Sequence, residues 1–294
     1  MRTVAIIGVG RLGGALAIAF DRLGIIVEHL ISHRPRENSD LLSSIKVKPR
    51  ISDLKSLEEI HSDLIFITTP DDRIAATAER VAERLDRASV VFHCSGAISS
   101  GVLAVLAARG NPTGSFHPLV SISDPVMGAA ALRKAFFCLE GTETAVSAGQ
   151  EIASLLGGAT FSVSDRLRPL YHASAVMAAG HITSLFASAA RMMEECGLSG
   201  RDAERVLMPL VRSTIENISS VGSAKALTGP FGRGDSETVS KHITAFSESG
   251  LQAEERAYLA LGICALKLAS GATVPDRQIE RIEKAIMIAM AKLR

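Results

Sequence analysis

The chain has 294 residues, 47% of them hydrophobic and 21% charged, an ordinary globular balance at a length that argues for two domains and needs no metal or disulfide to complete a core. Its 32 Lys+Arg nearly cancel its 31 Asp+Glu, so the bulk electrostatic signature of a nucleic-acid or anionic-membrane binder is missing. Cys94, Cys138, Cys196 and Cys264 are scattered without a CxxC pair, a usage suited to a reducing compartment. The opening MRTVAIIG reads at once as a strand and lacks the layout of a signal peptide. The apolar stretches near 173–190 and 257–269 are interrupted by Gly, Ser, His, Thr or Lys and do not read as membrane spans. The expectation is a soluble, cytoplasmic protein.

In chain order, Val4-Ala5-Ile6-Ile7 is an unbroken apolar run ending in glycine, and residues 11–23 carry apolar side chains at helical spacing. Residues 25–31 read as a second strand. Leu64–Ile67, Val90–Phe92 and Phe136–Leu139 repeat the theme, with Thr113–His117 a weaker candidate. Unbroken apolar runs are the mark of strands buried on both faces, and parallel strands need helical crossovers. The β-α-β-α rhythm therefore predicts an α/β domain with a doubly wound parallel sheet over residues 1–163. From residue 164 the strand-like runs stop. Helical patterns over 166–196, 200–220, 236–249, 251–269 and 276–293 predict an all-helical second domain, 164–294.

The sharpest local signal is Gly8-Val9-Gly10-Arg11-Leu12-Gly13, which fits G-x-G-x-x-G between the first strand and the first helix. The first glycine permits the tight turn, the second lets backbone approach a pyrophosphate, and the third lets helix and strand pack closely. The free amides and positive dipole end of the helix then face the phosphates. A turn that binds nothing, or one that binds another nucleoside such as S-adenosylmethionine, would share this pattern. The second strand ends Ile31-Ser32-His33-Arg34-Pro35-Arg36, with Glu28 mid-strand and no carboxylate at the tip. A carboxylate there would repel a 2′-phosphate, whereas a hydroxyl and guanidinium groups would bind it, so NADP is the expected cofactor. A solvated basic loop is the bland alternative. Thr69-Pro70 closes the fourth strand where the dinucleotide crevice belongs, although Pro70 and the two following aspartates would also serve to start a helix.

Two further strand tips, His93-Cys94-Ser95-Gly96 and Ser115-Phe116-His117-Pro118, fall on the same side of the sheet. Ser95 is a candidate hydrogen-bonding partner for substrate, and His117 a candidate acid/base group, because imidazole titrates near neutral pH. His93, still inside its strand, reads better as a core histidine. The next helix begins with Arg168, Tyr171 and His172, which share a face. Arg168 is a candidate for a substrate carboxylate and His172 or Tyr171 for proton delivery; a surface Arg–His pair beside a core tyrosine is the alternative. Residues 226–235, ALTGPFGRGD, specify a defined turn capped by Asp235 or Ser236. No histidine pairs with another His, Cys or carboxylate at metal-ligand spacing, so no metal site is expected.

These segments resemble a known group. Gly8 to Gly13, Thr69-Pro70-Asp71, HCSGA (93–97), GSFHPL (114–119), YHASAV (171–176) and ALTGPFGRGD (226–235) are similar to a bacterial family of provisionally assigned NADP oxidoreductases. That family lies in the 6-phosphogluconate dehydrogenase-like superfamily, alongside pyrroline-5-carboxylate reductase and ketopantoate reductase. The resemblance implies a Rossmann dinucleotide-binding domain, a helical C-terminal domain of unknown function that commonly dimerises, and a small-molecule substrate bound in a cleft between them. It implies hydride transfer between NADP(H) and a small carbonyl, imine or hydroxy acid. A non-catalytic NADP(H) sensor would share the glycine turn. One departure stands out: Gly180 occupies a position where the family pattern has asparagine, and His181 points about 100° away.

Overall fold

The computed structural model describes residues 2–32, 39–269 and 274–293. The chain divides into two compact units, residues 1–179 and 180–294. The first contains eight strands: β1 (Thr3–Ile7), β2 (Ile26–Ser32), β3 (Arg50–Asp53), β4 (Leu64–Ile67), β5 (Val90–His93), β6 (Thr113–Leu119), β7 (Phe136–Gly141) and β8 (Ala159–Phe161). They form one sheet in the order β3-β2-β1-β4-β5-β6-β7-β8. Every neighbouring pair is parallel except β6 with β7. This is the doubly wound α/β architecture that the apolar runs predict, with two additions. Three of the four residues of β3 are polar and it lies at one edge, and β8 has three partly exposed residues at the other; neither carries the apolar signal of a buried strand.

The first unit also holds α1 (Arg11–Arg22), α2 (Ser39–Ser43), α3 (Ile74–Ala82), α4 (Ala104–Ala107), α5 (Pro125–Ala131), α6 (Glu143–Leu155) and α7 (Arg168–Ala178). One face of the sheet packs under α1 and α6, where Leu16, Phe20, Phe66, Phe92, Phe116 and Ile152 form a continuous core. Phe20, Phe66, Phe92, Phe116 and Phe137 run across this face as a row of rings with successive centroids 5.1, 5.2, 5.7 and 4.7 Å apart, within the favourable range for tilted aromatic pairs. The other face packs Ile7, Ile65, Ile67 and Val91 against Ile74, Val81, Leu103 and Leu106 of the crossovers. Strands buried on both faces need such unbroken apolar sequence. The order of strands reverses at β1, whose neighbours are β2 and β4; a crevice at their C-terminal ends follows from the topology.

The second unit is helical: α8 (Gly180–Glu195), α9 (Gly200–Val221), α10 (Ser223–Ala226), α11 (Gly229–Arg233), α12 (Ser236–Ser249), α13 (Gln252–Ala269) and α14 (Asp276–Lys292). Its core is Val239, Leu259, Leu266, Ile282 and Ile286, from α12, α13 and α14. Asp235 caps α12 by accepting from the Thr238 amide at 3.0 Å, and Gly234 ends α11 in the left-handed region at φ +69°. The glycine-rich run 226–235 thus builds two helix boundaries. The helix expected over 166–196 is a 3-10 turn at Asp165–Leu167 followed by α7 and α8, broken at Ala179 (φ −124°, ψ −72°). By length and composition alone Asp165–Glu195 would suffice to cross a membrane, at a mean hydropathy of 1.3. Residues 165–179 belong instead to the first unit, held there by the polar side chains described next.

Candidate active site

The turn after β1 is built by its glycines. Gly8 has φ +104°, and a Cβ on it would lie 2.7 Å from both Thr68 C and Thr69 N. Only glycine lets the end of β1 pass so close to the end of β4. A Cβ on Gly13 would run into the Gly8 carbonyl and come within 2.6 Å of Thr68 Oγ1, which itself donates to Gly8 O at 2.6 Å. Gly10 differs. Its φ is −89° and a Cβ would meet nothing within 4 Å, so no neighbour in the fold demands glycine there. What it faces is a pocket of about 900 Å³ lined by Gly8, Val9, Gly10, Arg11, Leu12, Ser32, Thr69, Pro70 and His117. The start of α1 has no side-chain cap and no acidic residue in its first turn. Its opening amides have no capping side chain, and such a helix start suits an anion.

The same pocket takes in residues the sequence did not flag as ligands: Arg73, Cys94, Pro118, Val120 and Ile122. The Arg11 and Arg73 guanidinium groups are exposed and make no hydrogen bond or ion pair among the described residues. Arg73 lies one helical turn beyond Thr69-Pro70, a cue available from the sequence. Thr69 Oγ1 is buried and lacks a hydrogen-bond partner. A buried hydroxyl without a partner costs free energy unless something supplies one. Pro70 starts the 3-10 turn Asp71–Arg73 with no side-chain cap bond; Asp71 is used elsewhere. His33 and Arg34, read from the sequence as cofactor residues, lie outside the described residues, as does Arg36.

Beside this pocket, the tips of β5 and β6 meet the start of α7. Ser95 Oγ donates to Asp71 Oδ2 at 2.8 Å and accepts from the Ala97 and Ile98 amides at 3.1 and 3.3 Å; it pins the loop. His93 is fully buried, and its Nδ1 accepts from the Ser95 amide at 3.2 Å, the core histidine anticipated. Burial, then the Arg168 charge, pulls its pKa down to about 4. His117 Nδ1 and Tyr171 Oη are 2.6 Å apart, and the rings meet edge to face. His117 is likewise lowered to about 4, first by burial and then by His172 and Arg168, with Asp71 opposing. Burial pushes the Tyr171 hydroxyl up, helped by the neighbouring Cys138. At neutral pH both are therefore uncharged.

Arg168 is 1% exposed, so it is neither a surface group nor open to a substrate carboxylate in this arrangement. Its Nη2 donates to Ser115 Oγ at 2.5 Å and to the Ser95 carbonyl at 3.5 Å, and its Nη1 lies 3.7 Å from Glu140 Oε2. Glu140 also accepts from the Ser100 amide and hydroxyl at 2.8 and 2.5 Å. A buried guanidinium needs such a carboxylate. Nε of Arg168 and Nδ1 of His172 are buried without hydrogen-bond partners. The sequence missed Ser115 and Glu140. Ser115 is two residues before His117 and shares its strand face, which was a readable signal; Glu140 enters only through the antiparallel pairing of β7, where it sits opposite Ser115.

Gly96 is the centre of the arrangement. A Cβ there would lie 2.7 Å from His172 Nδ1 and 2.8 Å from His117 Nε2. The missing side chain is what lets two imidazoles converge on one spot beside the pocket. Among the described residues no group of three His, Cys, Asp or Glu is placed to hold a metal ion.

Two family models match the chain, a Rossmann-like domain over residues 1–118 and a domain of unknown function, DUF2520, over residues 135–263. The chain joins a Rossmann-like domain to a DUF2520 domain. His117 falls at the end of the Rossmann-like match and Arg168, Tyr171 and His172 within the DUF2520 match, so the polar cluster draws on both. A Bacteroides fragilis protein provisionally described as an NADP oxidoreductase superposes with a TM-score of 0.74 at 20% identity, over 90% of this chain and 98% of that one. A Thermotoga maritima protein gives 0.70 at 22%, over 91% and 98%. A Plasmodium falciparum pyrroline carboxylate reductase, solved with NADP bound, gives 0.58 at 14%, over 96% and 98%. At these identities the likeness establishes a shared fold. No curated protein matches the chain.

Proposed function

We propose that the protein is an NADP(H)-dependent oxidoreductase that transfers hydride between the nicotinamide and a small carbonyl, imine or hydroxy acid. The observation that carries this reading is Gly10: a glycine that the fold does not require, facing a pocket of about 900 Å³ at the uncapped start of α1. The bare backbone there and the unpartnered Thr69 hydroxyl fit a pyrophosphate and its riboses. Ser32 at the β2 tip, together with Arg11 and Arg73, supplies charge and hydrogen bonds suited to a third phosphate, the feature that favours NADP over NAD. The related folds that carry NADP or a reductase name support the same assignment.

When bound, the nicotinamide supplies or accepts the hydride. The chain's own contribution is orientation and a proton. Cys94 and His117 line the pocket from the tips of β5 and β6, three and four strands along the sheet from Ser32 on β2, and this separation supports a nicotinamide end beside His117. His117 and His172 flank Gly96 as candidate proton carriers, Tyr171 holds His117, and Arg168 with Ser95 fixes the loop between them. Calorimetric titration with NADPH, NADH and S-adenosylmethionine tests the reading. Saturable binding that favours NADPH supports it, and preference for S-adenosylmethionine or no affinity for either nucleotide removes it.

The helical unit is proposed to form a homodimer, in the cytoplasm. Of the 22 residues of α9 only Ala203 is buried, while Val206, Leu210, Ile215, Ile218 and Val221 are all more than 40% exposed. An apolar face of this extent on a soluble helix calls for a partner. Sedimentation velocity decides it: a single species near twice the chain mass is expected, and a monomer at micromolar concentration refutes it.

A further inference from the structure

The pair formed by His117 and Tyr171 recurs in the second unit. His242 Nδ1 and Tyr258 Oη are 2.7 Å apart, with the rings again edge to face at 79°. Such a pair is therefore not by itself the mark of a site. His117 differs in what its other edge does. Nε2 and Cε1 lie over Gly96, and the residue lines the dinucleotide-sized pocket.

Hydrogen-bond chemistry fixes which nitrogen carries the proton. A neutral imidazole has one donor nitrogen and one acceptor. The Tyr171 hydroxyl has two groups within reach, His117 Nδ1 and the Cys138 thiol. A thiol sulfur is a weak acceptor, whereas an imidazole lone pair is a strong one. The hydroxyl therefore donates to Nδ1, and the thiol is left to face the phenolic oxygen. With Nδ1 accepting, the single imidazole proton sits on Nε2 and points towards Gly96 and the pocket.

Resting on the dinucleotide reading above, we infer that His117 is held by Tyr171 as a neutral imidazole with its proton on Nε2, and that this N–H hydrogen-bonds the oxygen of a neutral carbonyl substrate. A protonated imine is the wrong partner, because an N–H donor has nothing to give to another N–H donor. Arg168 is buried beside the cluster, while the carboxylates nearby are already engaged, Asp71 by Ser95 and Glu140 by Ser100 and Arg168. The groups that face His117 are His172, Arg168 and Tyr171 of α7, Asp71 after β4 and His93 of β5. Arg168 is itself paired with Glu140, and Asp71 acts on His117 in the opposite sense, so the hydrogen-bond geometry alone makes the choice: an Nε2–H donor stabilises the negative charge that develops on a carbonyl oxygen as hydride arrives. The substrate class is thus aldehydes and ketones, oxo acids included, in place of iminium ions. Tyr171 is a positioning residue.

Nitrogen-15 NMR of the full chain, labelled in its histidine rings, reads this without any substrate. The two ring nitrogens of His117, assigned by loss of its signals in His117→Gln, are expected at pH 7 to show the neutral pattern with hydrogen on Nε2. In Tyr171→Phe both shifts are expected to move towards those of a freely exchanging imidazole, while the His242 signals stay put. The matching Tyr258→Phe variant should move only His242. A proton on Nδ1, an imidazolium at pH 7, or a His117 pattern unmoved by Tyr171→Phe overturns the inference. NADPH added to the same samples reports separately on the dinucleotide reading, so failure of one is distinguishable from failure of the other.

Discussion

Gly10→Ala separates what the fold needs from what a ligand needs. The new methyl group meets nothing within 4 Å, and φ of −89° suits any residue. By the unfolded-state argument, a glycine replaced by alanine at a compatible position stabilises by about 0.4–1 kcal/mol, so the melting temperature should hold or rise slightly. The neighbouring glycines give the contrast. Gly8→Ala adds a side chain at φ +104° and within 2.7 Å of backbone, and it should destabilise the first unit. If a pyrophosphate rests on the Gly10 backbone, the methyl displaces it and weakens its charge-assisted bonds to the opening amides of α1. Such bonds are worth about 1.5–3 kcal/mol, so losing one raises the NADPH dissociation constant about 10- to 150-fold. Calorimetric titration beside a thermal unfolding scan measures both quantities. Unchanged NADPH affinity in a fully folded Gly10→Ala protein refutes the assignment of this turn.

Other consequences follow from the same geometry. Gly96→Ala forces a Cβ to within 2.8 Å of two imidazoles; displacement of about 1 Å at reacting groups costs on the order of 100-fold in rate, while NADPH affinity, which Gly96 does not line, should be kept. Arg11→Ala and Arg73→Ala should each weaken NADPH, with a steeper loss at low salt, because exposed charges are screened; equal affinities at 50 and 500 mM salt would count against a phosphate-binding role. Protonation should destabilise the first unit in acid. The folded pKa values of His93 and His117 lie near 4, below the usual 6.5, so the unfolded chain takes up protons first. The stability these rings contribute is full above about pH 6.5 and is lost as pH falls towards 4, by about 2 kcal/mol each between pH 7 and 4.5. Denaturant midpoints that do not fall over that range would show the rings to be ordinary.

The central strands were legible because burial on both faces leaves no room for polar residues: Val4–Ile7, Leu64–Ile67 and Val90–Phe92 announce themselves. Arg50–Asp53 and Ala159–Phe161 did not, since an edge strand is defined by its neighbour's hydrogen bonds and needs no apolar run. The break at Ala179 was hidden for a related reason, as apolar spacing persists across it. The glycine turn could be read to the residue because backbone geometry dictates each glycine, yet the sequence could not tell that Gly10 alone faces empty space. In the polar cluster, His117, Tyr171 and His172 were visible as residue types. Their meeting was not: His117 and Tyr171 are 54 positions apart and touch only because α7 packs with the first unit. Arg168 was read as a partner for a substrate carboxylate, and its burial was hidden for the same reason. Nothing local distinguishes a solvated arginine at a helix start from one buried against Ser115 and Glu140.

The central claim is that a dinucleotide lies along the pocket with its pyrophosphate on the start of α1 and its nicotinamide at the tips of β5 and β6. Nuclear Overhauser contacts between bound NADPH and the protein test it directly. The account predicts contacts from the nicotinamide C4 protons to the His117 ring and none from the adenine protons to that residue. Contacts in the reverse sense, or an absence of bound NADPH at millimolar concentration, would contradict it.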